Sequence, residues 1–186
     1  MRDPRRVAIL ISGRGSNMRA LVEQAEEYEV ALIASNKPSA AGLQWAVERG
    51  LPTWSLESKG LQKEAFDRQL SEALEKHGVG TIALAGFMRV LSAGFVGEWQ
   101  GRILNIHPSL LPKYRGLDTH ARAIDAGDPT SGCSVHVVTE ELDAGDVLGQ
   151  TEVPIERGDT PETLEQRVLA AEHELYPRVL SEFVRR

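Results

Sequence analysis

Asn105 and His107 stand two residues apart at the end of the apolar run Ile103–Ile106, and Pro108, Ser109, Leu110, Leu111 and Pro112 follow at once. Side chains alternate along an extended strand, so Asn105 and His107 share one side while Ile106 takes the other. An amide beside an imidazole offers two polar groups to one reacting centre, which is equipment for acid–base work. A second cluster, Glu140-Glu141-Leu142-Asp143-Ala144-Gly145-Asp146, holds four acids in a Gly-containing connection. Such a run usually reads as a solvated loop. Folded beside His107, one of its carboxylates would hold the imidazolium. Spacing alone does not choose among the four.

The third constellation is Ser12-Gly13-Arg14-Gly15-Ser16-Asn17, between an apolar run and an amphipathic stretch. Glycines there let backbone N–H groups approach an anion, and a helix N-terminus adds partial positive charge. The plainer reading is a tight turn with a helix N-cap at Ser16 or Asn17. A dinucleotide fingerprint fits poorly: its third glycine falls at Met18, and Ser35-Asn36 stands where a ribose-binding acid is needed. The Gly-Lys-Ser/Thr of a triphosphate loop is missing too. A single phosphate, as on a ribose 5-phosphate, suits the loop better. Other candidates are weaker. His136, between Val135 and Val137, reads as a buried, hydrogen-bonded histidine, His120 as a local cap and Cys133 as a small core residue. Periodicity alone puts Glu172 on the flank of the last helix's apolar stripe and His173 nearly opposite it, both as surface residues. No zinc spacing and no HExxH is present, so no metal is expected.

These residues need elements to position them. Val7–Ile11, Val30–Ala34, Thr81–Ala85 and Ile103–Ile106 are short, continuous apolar runs of the kind buried on both faces in parallel sheets, with Leu51–Leu56 as a weaker strand. Helical stretches alternate with them: Met18–Glu27, Ala40–Arg49, Lys63–Lys76 and a Phe95–Trp99 segment. The pattern predicts an α/β fold, an open, mostly parallel twisted sheet with helices on both faces. After His107 the texture changes. A loop over His107–Asp118 and a short helix over Thr119–Ala126 precede an antiparallel strand pair, Cys133–Val138 and Val147–Ile155, near the C-terminal part. A final helix starts around Asp159-Thr160-Pro161, with Glu162 completing a capping box, and carries the stripe Leu164, Val168, Ala171, Leu175 and Val179. One domain over 1–186 is expected.

The 186 residues carry 21 Lys plus Arg against 27 Asp plus Glu, a net charge of −6, with 41% hydrophobic residues. Mean hydropathy is −0.26 and the pI is near 5.4. No run approaches the ~20 apolar residues of a membrane helix. The acidic balance disfavours a general nucleic-acid grip, which needs a basic face. The charged start, Met1–Arg6, predicts no secretory signal, and the single Cys fits a reducing cytoplasm.

VAILISGRGSN, LAGFMRVLS, RILNIHPSLLPKYRGL, GCSVHVVTEELDAGDVLGQ, VPIERGDT and AAEHELYP occur in that order. Together, over about Val7 to Pro177, they resemble the phosphoribosylglycinamide formyltransferases (glycinamide ribonucleotide transformylases), a folate-dependent formyltransferase family of purine biosynthesis. The resemblance implies a formyltransferase-like Rossmann variant. Its ribonucleotide phosphate-binding half would be about 1–100, its catalytic and folate-binding half about 101–186. It implies transfer of a formyl group from 10-formyltetrahydrofolate, the cosubstrate, to the glycyl amine of 5-phosphoribosylglycinamide, without metal. His107 matches the general acid, Asn105 its neighbouring donor, and Asp143 the carboxylate that keeps His107 charged. Gly15, Ser16 and Asn17 match the phosphate segment, and Glu172 a substrate-contacting acid. The folate pocket implied is Met88, Arg89, Val90 and Leu91 with Asn105 and the loop Thr139, Glu140, Glu141, Leu142 and Asp143. Lys63 stands where relatives often carry Arg against the folate tail; it keeps the charge without the bidentate fork. Arg115 and Asp118 depart from residues some relatives carry. The implied partners are the two small molecules alone, with no nucleic acid or membrane, for a cytoplasmic monomer or homodimer. A methionyl-tRNA formyltransferase and a formyltetrahydrofolate hydrolase share the NIHPSLLP and LDAGD core, but relatives of those kinds usually carry an added domain, for which 186 residues are expected to leave no room.

Overall fold

The computed structural model describes residues 2–186. The described residues form seven strands and six helices. The N-terminal part alternates β1 (Arg6–Ile11), α1 (Ser16–Glu23), β2 (Glu29–Ser35), α2 (Ala41–Glu48), β3 (Thr53–Ser55), α3 (Lys63–Lys76), β4 (Thr81–Leu84), α4 (Ala93–Glu98) and β5 (Ile103–His107). It continues through α5 (Thr119–Asp125), β6 (Thr130–Val137), β7 (Val147–Pro154) and α6 (Pro161–Val184). All strands join one sheet in the order β3-β2-β1-β4-β5-β6-β7. Pairings through β5 are parallel, whereas β5–β6 and β6–β7 are antiparallel. The expected antiparallel pair is therefore a three-strand unit, with β5 belonging to both halves.

The period of two along each strand divides the core into two layers. Val7, Ile9 and Ile11 of β1 enter one cluster with Leu21 of α1, Leu43 of α2 and Leu164, Val168 and Leu175 of α6. Ala8 and Leu10 enter the other, with Phe66 and Leu70 of α3 and Phe95 and Trp99 of the α4 segment. On β5, Leu104 and Ile106 face α6 while Ile103 faces the α3–α4 layer. Asn105 and His107 consequently lie on the Ile103 side, as alternation predicts.

Three local expectations are corrected. The N-cap of α1 is Gly15 at φ 73, with no side-chain cap from Ser16 or Asn17. Glycine makes this left-handed turn without steric cost, and a Cβ here would lie 2.9 Å from the Met18 methyl. The capping box of α6 is Thr160 with Thr163, one residue beyond the expected Asp159–Glu162 pair. Asp159 instead accepts from the Glu156 N–H at 2.7 Å and from Arg167. Glu172 is no surface residue: it is 6% exposed, and His173 is half-buried. Glu172 lies four residues after Val168, so α6 turns it toward α1 beside the stripe.

Candidate active site

β5 delivers Asn105 and His107 to the end of the sheet, and β6 runs back beside them, placing His136 opposite Asn105 and Ser134 opposite His107. The two nitrogens of His107 face different acceptors. Nε2 is 2.8 Å from the Tyr114 carbonyl, and Nδ1 is 3.5 Å from Asp143 Oδ2. A carbonyl only accepts, so Nε2 carries a hydrogen and donates it. Nδ1 is left facing the carboxylate, at a separation longer than that of a strong hydrogen bond.

Both partners of His107 are themselves held. Tyr114 adopts φ 52, its hydroxyl donates to Asp128 at 2.6 Å, and Ser109 Oγ donates to the Lys113 carbonyl at 2.6 Å. Asp143, at φ 49, accepts from the Gly116 N–H at 2.9 Å. Of the four acids in the connection, Asp143 alone meets His107. Glu140, Glu141 and Asp146 are exposed, and Glu141 pairs with Arg115 at 3.0 Å. Asp118 takes the left-handed N-cap position of α5 at φ 57 without a side-chain cap bond. His120, expected as a local cap, is the second residue of α5 and caps nothing.

Gly145 sets the position of this loop. A Cβ there would lie 1.7 Å from the Val137 carbonyl oxygen, a backbone atom. Gly145→Ala must therefore push the Asp143 turn off β6. The expected result is a loss of turnover of at least about tenfold, since misplacement by ~1 Å can cost ~100-fold. Steady-state kinetics beside a thermal melt check it; wild-type turnover would show that the turn absorbs the methyl elsewhere.

His136 is buried and hydrogen-bonded, as expected, and it also belongs to this site. Its Nε2 lies 3.4 Å from Asn105 Nδ2 and 3.7 Å from Asp143 Oδ1, and its Nδ1 is 3.1 Å from the Val137 carbonyl. Burial pushes its pKa down, against the opposing pull of Asp143. The cross-strand register that brings it to Asn105 is the signal that identifies it.

The glycine loop lies at the point where the strand order turns back, beside β4, the crevice in which open α/β sheets bind ligands. Ser12 ties three loops together. Its N–H donates to the Gly86 carbonyl at 3.2 Å, its hydroxyl donates to Asn36 Oδ1 at 2.5 Å, and it accepts from the Met88 N–H at 2.7 Å. Asn36, noted in sequence for lacking a charge, continues the chain to Ser58 Oγ at 3.1 Å. Gly15 and Asn17 are buried and Ser16 is half-buried. Asn17 Nδ2 donates to Glu172 Oε2 at 2.8 Å, and Asn17 Oδ1 is buried with no partner among the described residues. Burial raises the Glu172 carboxyl to about 7, with the Asn17 bond opposing the rise.

Large apolar side chains are exposed on the loops that carry Met88, tied to Ser12, and Leu142, next to Asp143. Met88, Val90 and Leu142 are 71%, 68% and 65% exposed, while Leu91 and Val138 pack into the same cluster beneath. Arg89 donates to the Ser58 and Leu61 carbonyls at 3.3 Å each, and its guanidinium lies 4.8 Å from the Phe66 ring. It binds two loops together rather than projecting a free charge. Lys63, at the start of α3, is exposed and makes no ion pair among the described residues. Thr139 donates to the Glu141 carbonyl at 3.2 Å. A separate groove of about 390 Å³ between α3 and α4, lined by Glu64, Asp67, Glu72, Glu75 and Glu98, contains none of these residues.

The formyl transferase family matches residues 5–180 of the chain. The phosphoribosylglycinamide formyltransferase of Escherichia coli (strain K12) is 43% identical over 182 residues, covering 95% of this chain and 86% of that protein. The trifunctional purine biosynthetic protein adenosine-3 of Bos taurus is 46% identical over 180 residues, and the chain spans 18% of that longer protein. The crystal structure of phosphoribosylglycinamide formyltransferase from Brucella melitensis matches with a TM-score of 0.91 at 47% identity, covering 97% of this chain and 95% of that one.

Proposed function

The chain belongs to the formyl transferase family, among the phosphoribosylglycinamide formyltransferases, and from that premise we propose which reaction its site carries. It transfers a formyl group from 10-formyltetrahydrofolate to the glycyl amine of 5-phosphoribosylglycinamide, a step of de novo purine biosynthesis. The observation that carries this reading is His107, held between the Tyr114 carbonyl and Asp143, with Asn105 on the same face of β5.

When bound, 10-formyltetrahydrofolate supplies the formyl carbon and leaves as tetrahydrofolate. The residues fit such a ligand: Met88, Val90 and Leu142 offer exposed apolar surface to a heteroaromatic ring. Arg89, Leu91, Thr139, Glu140 and Glu141 complete that pocket, and Lys63 supplies a cation for the anionic tail. As the amine attacks, negative charge grows on the formyl oxygen, and Asn105 Nδ2 and His107 Nδ1 are the donors for it. Asp143, against the same Nδ1, stabilises the positive ring by attraction of opposite charges. The attacking amine sheds a proton as its new bond forms and the departing nitrogen takes one up; His107 Nδ1 gives the second proton and is restored by the first. Asn105 and His107 thereby serve as donor and acid, with Asp143 as the charge partner.

At the other end, the N–H groups around Gly15, Ser16 and Asn17 hold the phosphate at the start of α1, and Glu172 contacts the ribonucleotide. No helix among the described residues is long and apolar enough to cross a membrane, and the proposed setting is the cytoplasm, as a monomer or homodimer. The test is release of deformylated folate from 10-formyldideazafolate or the natural cosubstrate, with and without glycinamide ribonucleotide. Release only with the ribonucleotide is expected. Release without it indicates a hydrolase, and release only with charged initiator tRNA a methionyl-tRNA formyltransferase; either overturns the reading.

A further inference from the structure

We propose that His136 is a positioning residue for Asn105: its Nε2 accepts one amide N–H of Asn105 and so aims the second amide N–H at the reacting oxygen. The inference rests on the formyl-transfer reading above and adds to it a residue that this reading does not use.

The argument begins with the proton on His136. Its Nδ1 lies 3.1 Å from the Val137 carbonyl, which can only accept, so Nδ1 carries the hydrogen. Nε2 of the uncharged ring is then a lone pair, and it lies 3.4 Å from Asn105 Nδ2. An amide has a donor end and an acceptor end, and only the donor end is favourable against a lone pair. Turned around, Asn105 would set Oδ1 against Nε2 and present a carbonyl, an acceptor, to the developing negative charge. The cross-strand pairing of Asn105 with His136 makes this choice a property of the β5–β6 register.

The charges around His136 define why its uncharged form matters. Asp143 Oδ1, from the connection between β6 and β7, is 3.7 Å from Nε2, and His107 stands two residues along β5 from Asn105. The carboxylate favours an imidazolium at His136; burial at 2% exposure, the larger influence, and any charge on His107 oppose it. A protonated Nε2 would face the Asn105 NH2 donor to donor. It would also share the Asp143 carboxylate that His107 needs. The uncharged ring keeps the amide aimed and leaves Asp143 to His107.

The test uses the full chain with His136→Leu, His136→Gln, Asn105→Ala and the double variant Asn105→Ala/His136→Leu. His136→Leu should lower kcat by about 100-fold, in the range of a lost oxyanion donor, with the KM for the ribonucleotide within about twofold. Gln keeps an acceptor oxygen near the Nε2 position and should recover about tenfold of that loss. The double variant should be no slower than Asn105→Ala, because a residue that acts through Asn105 has nothing further to lose. Wild-type kcat in His136→Leu, multiplicative losses in the double variant, or no recovery with Gln in a folded protein would each overturn the proposal. Ring 15N signals of His136 give a readout independent of turnover. A protonated Nδ1 and a hydrogen-bonded Nε2 that changes in Asn105→Ala are expected, and a protonated Nε2 overturns the inference even where formyl transfer is confirmed. A wild-type chain that transfers no formyl group overturns the functional reading instead, while those ring signals still decide the amide's orientation.

Discussion

Replacing Asn105 or His107 by Ala lowers turnover at least about 100–1000-fold and leaves ribonucleotide binding close to normal, the expected cost of removing one donor to a developing oxyanion. The geometry separates the two effects. Asn105 and His107 sit at the end of β5 against β6 and the Asp143 turn, whereas the proposed ribonucleotide end is the glycine loop after β1 with the Asn17–Glu172 pair between α1 and α6. Truncating His107 also leaves Asp143 with the Gly116 N–H at 2.9 Å as its remaining close hydrogen bond and leaves the Tyr114 carbonyl to the longer Ser109 Oγ contact at 3.3 Å. Its loss should therefore exceed that of Asn105, which forfeits one amide. Because the two donors serve one oxygen, the double variant should be far less than multiplicatively worse, as for residues that act as a unit. Single-turnover rates measure the first effect and calorimetric titration with glycinamide ribonucleotide the second. Near-normal turnover in both single variants removes these residues from the chemistry.

Much of this arrangement is readable in the chain, and the parts that are not have physical causes. Val7–Ile11, Val30–Ala34 and Thr81–Ala85 announce themselves because strands buried on both faces need unbroken apolar runs. Asn105 and His107 share a face for the same reason of alternation. Asp143 could not be chosen from among Glu140, Glu141 and Asp146, because the choice is made by a left-handed turn and by the Gly145 backbone lying on Val137. His136 looked like any buried histidine, since its meaning comes from antiparallel register, which one sequence does not encode locally. The α1 cap was misplaced because Gly15 uses backbone conformation, not a side chain, to begin the helix. Glu172 was hidden by its chemistry. An apolar stripe is counted from apolar residues, and a carboxylate beside the stripe is assigned to solvent unless a partner such as Asn17, 155 positions away, is known. The resemblance to the formyltransferases had already marked it as a substrate contact, and the burial supplies the physical reason it stands apart.

That burial makes Glu172→Gln the variant that should strengthen the fold while weakening the enzyme. The Glu172 carboxyl is raised by burial to about 7 from an ordinary value of 4.5. Between those values the folded chain holds a proton that the unfolded chain has released, so stability falls as pH rises through the window. Below the unfolded value both states are protonated and the penalty vanishes; above about 7 it is complete, roughly 3 kcal/mol at 1.36 kcal/mol per unit. Gln carries no charge at any of these pH values, and its side-chain oxygen can still accept the Asn17 amide. The variant should unfold at higher urea than the wild type at pH 8, with the difference shrinking toward zero near pH 4. Stability and activity commonly trade at functional positions. If Glu172 contacts the ribonucleotide, its charge is what the substrate's hydrogen-bond donors meet. Glu172→Gln should then raise the ribonucleotide KM by about tenfold at pH 8, the scale of one charge-assisted hydrogen bond. Urea unfolding at pH 8 and pH 4, with KM measured on the same preparations, checks both halves. A stability difference that does not change with pH would show that the carboxyl titrates normally, and an unchanged KM would place Glu172 outside the binding site.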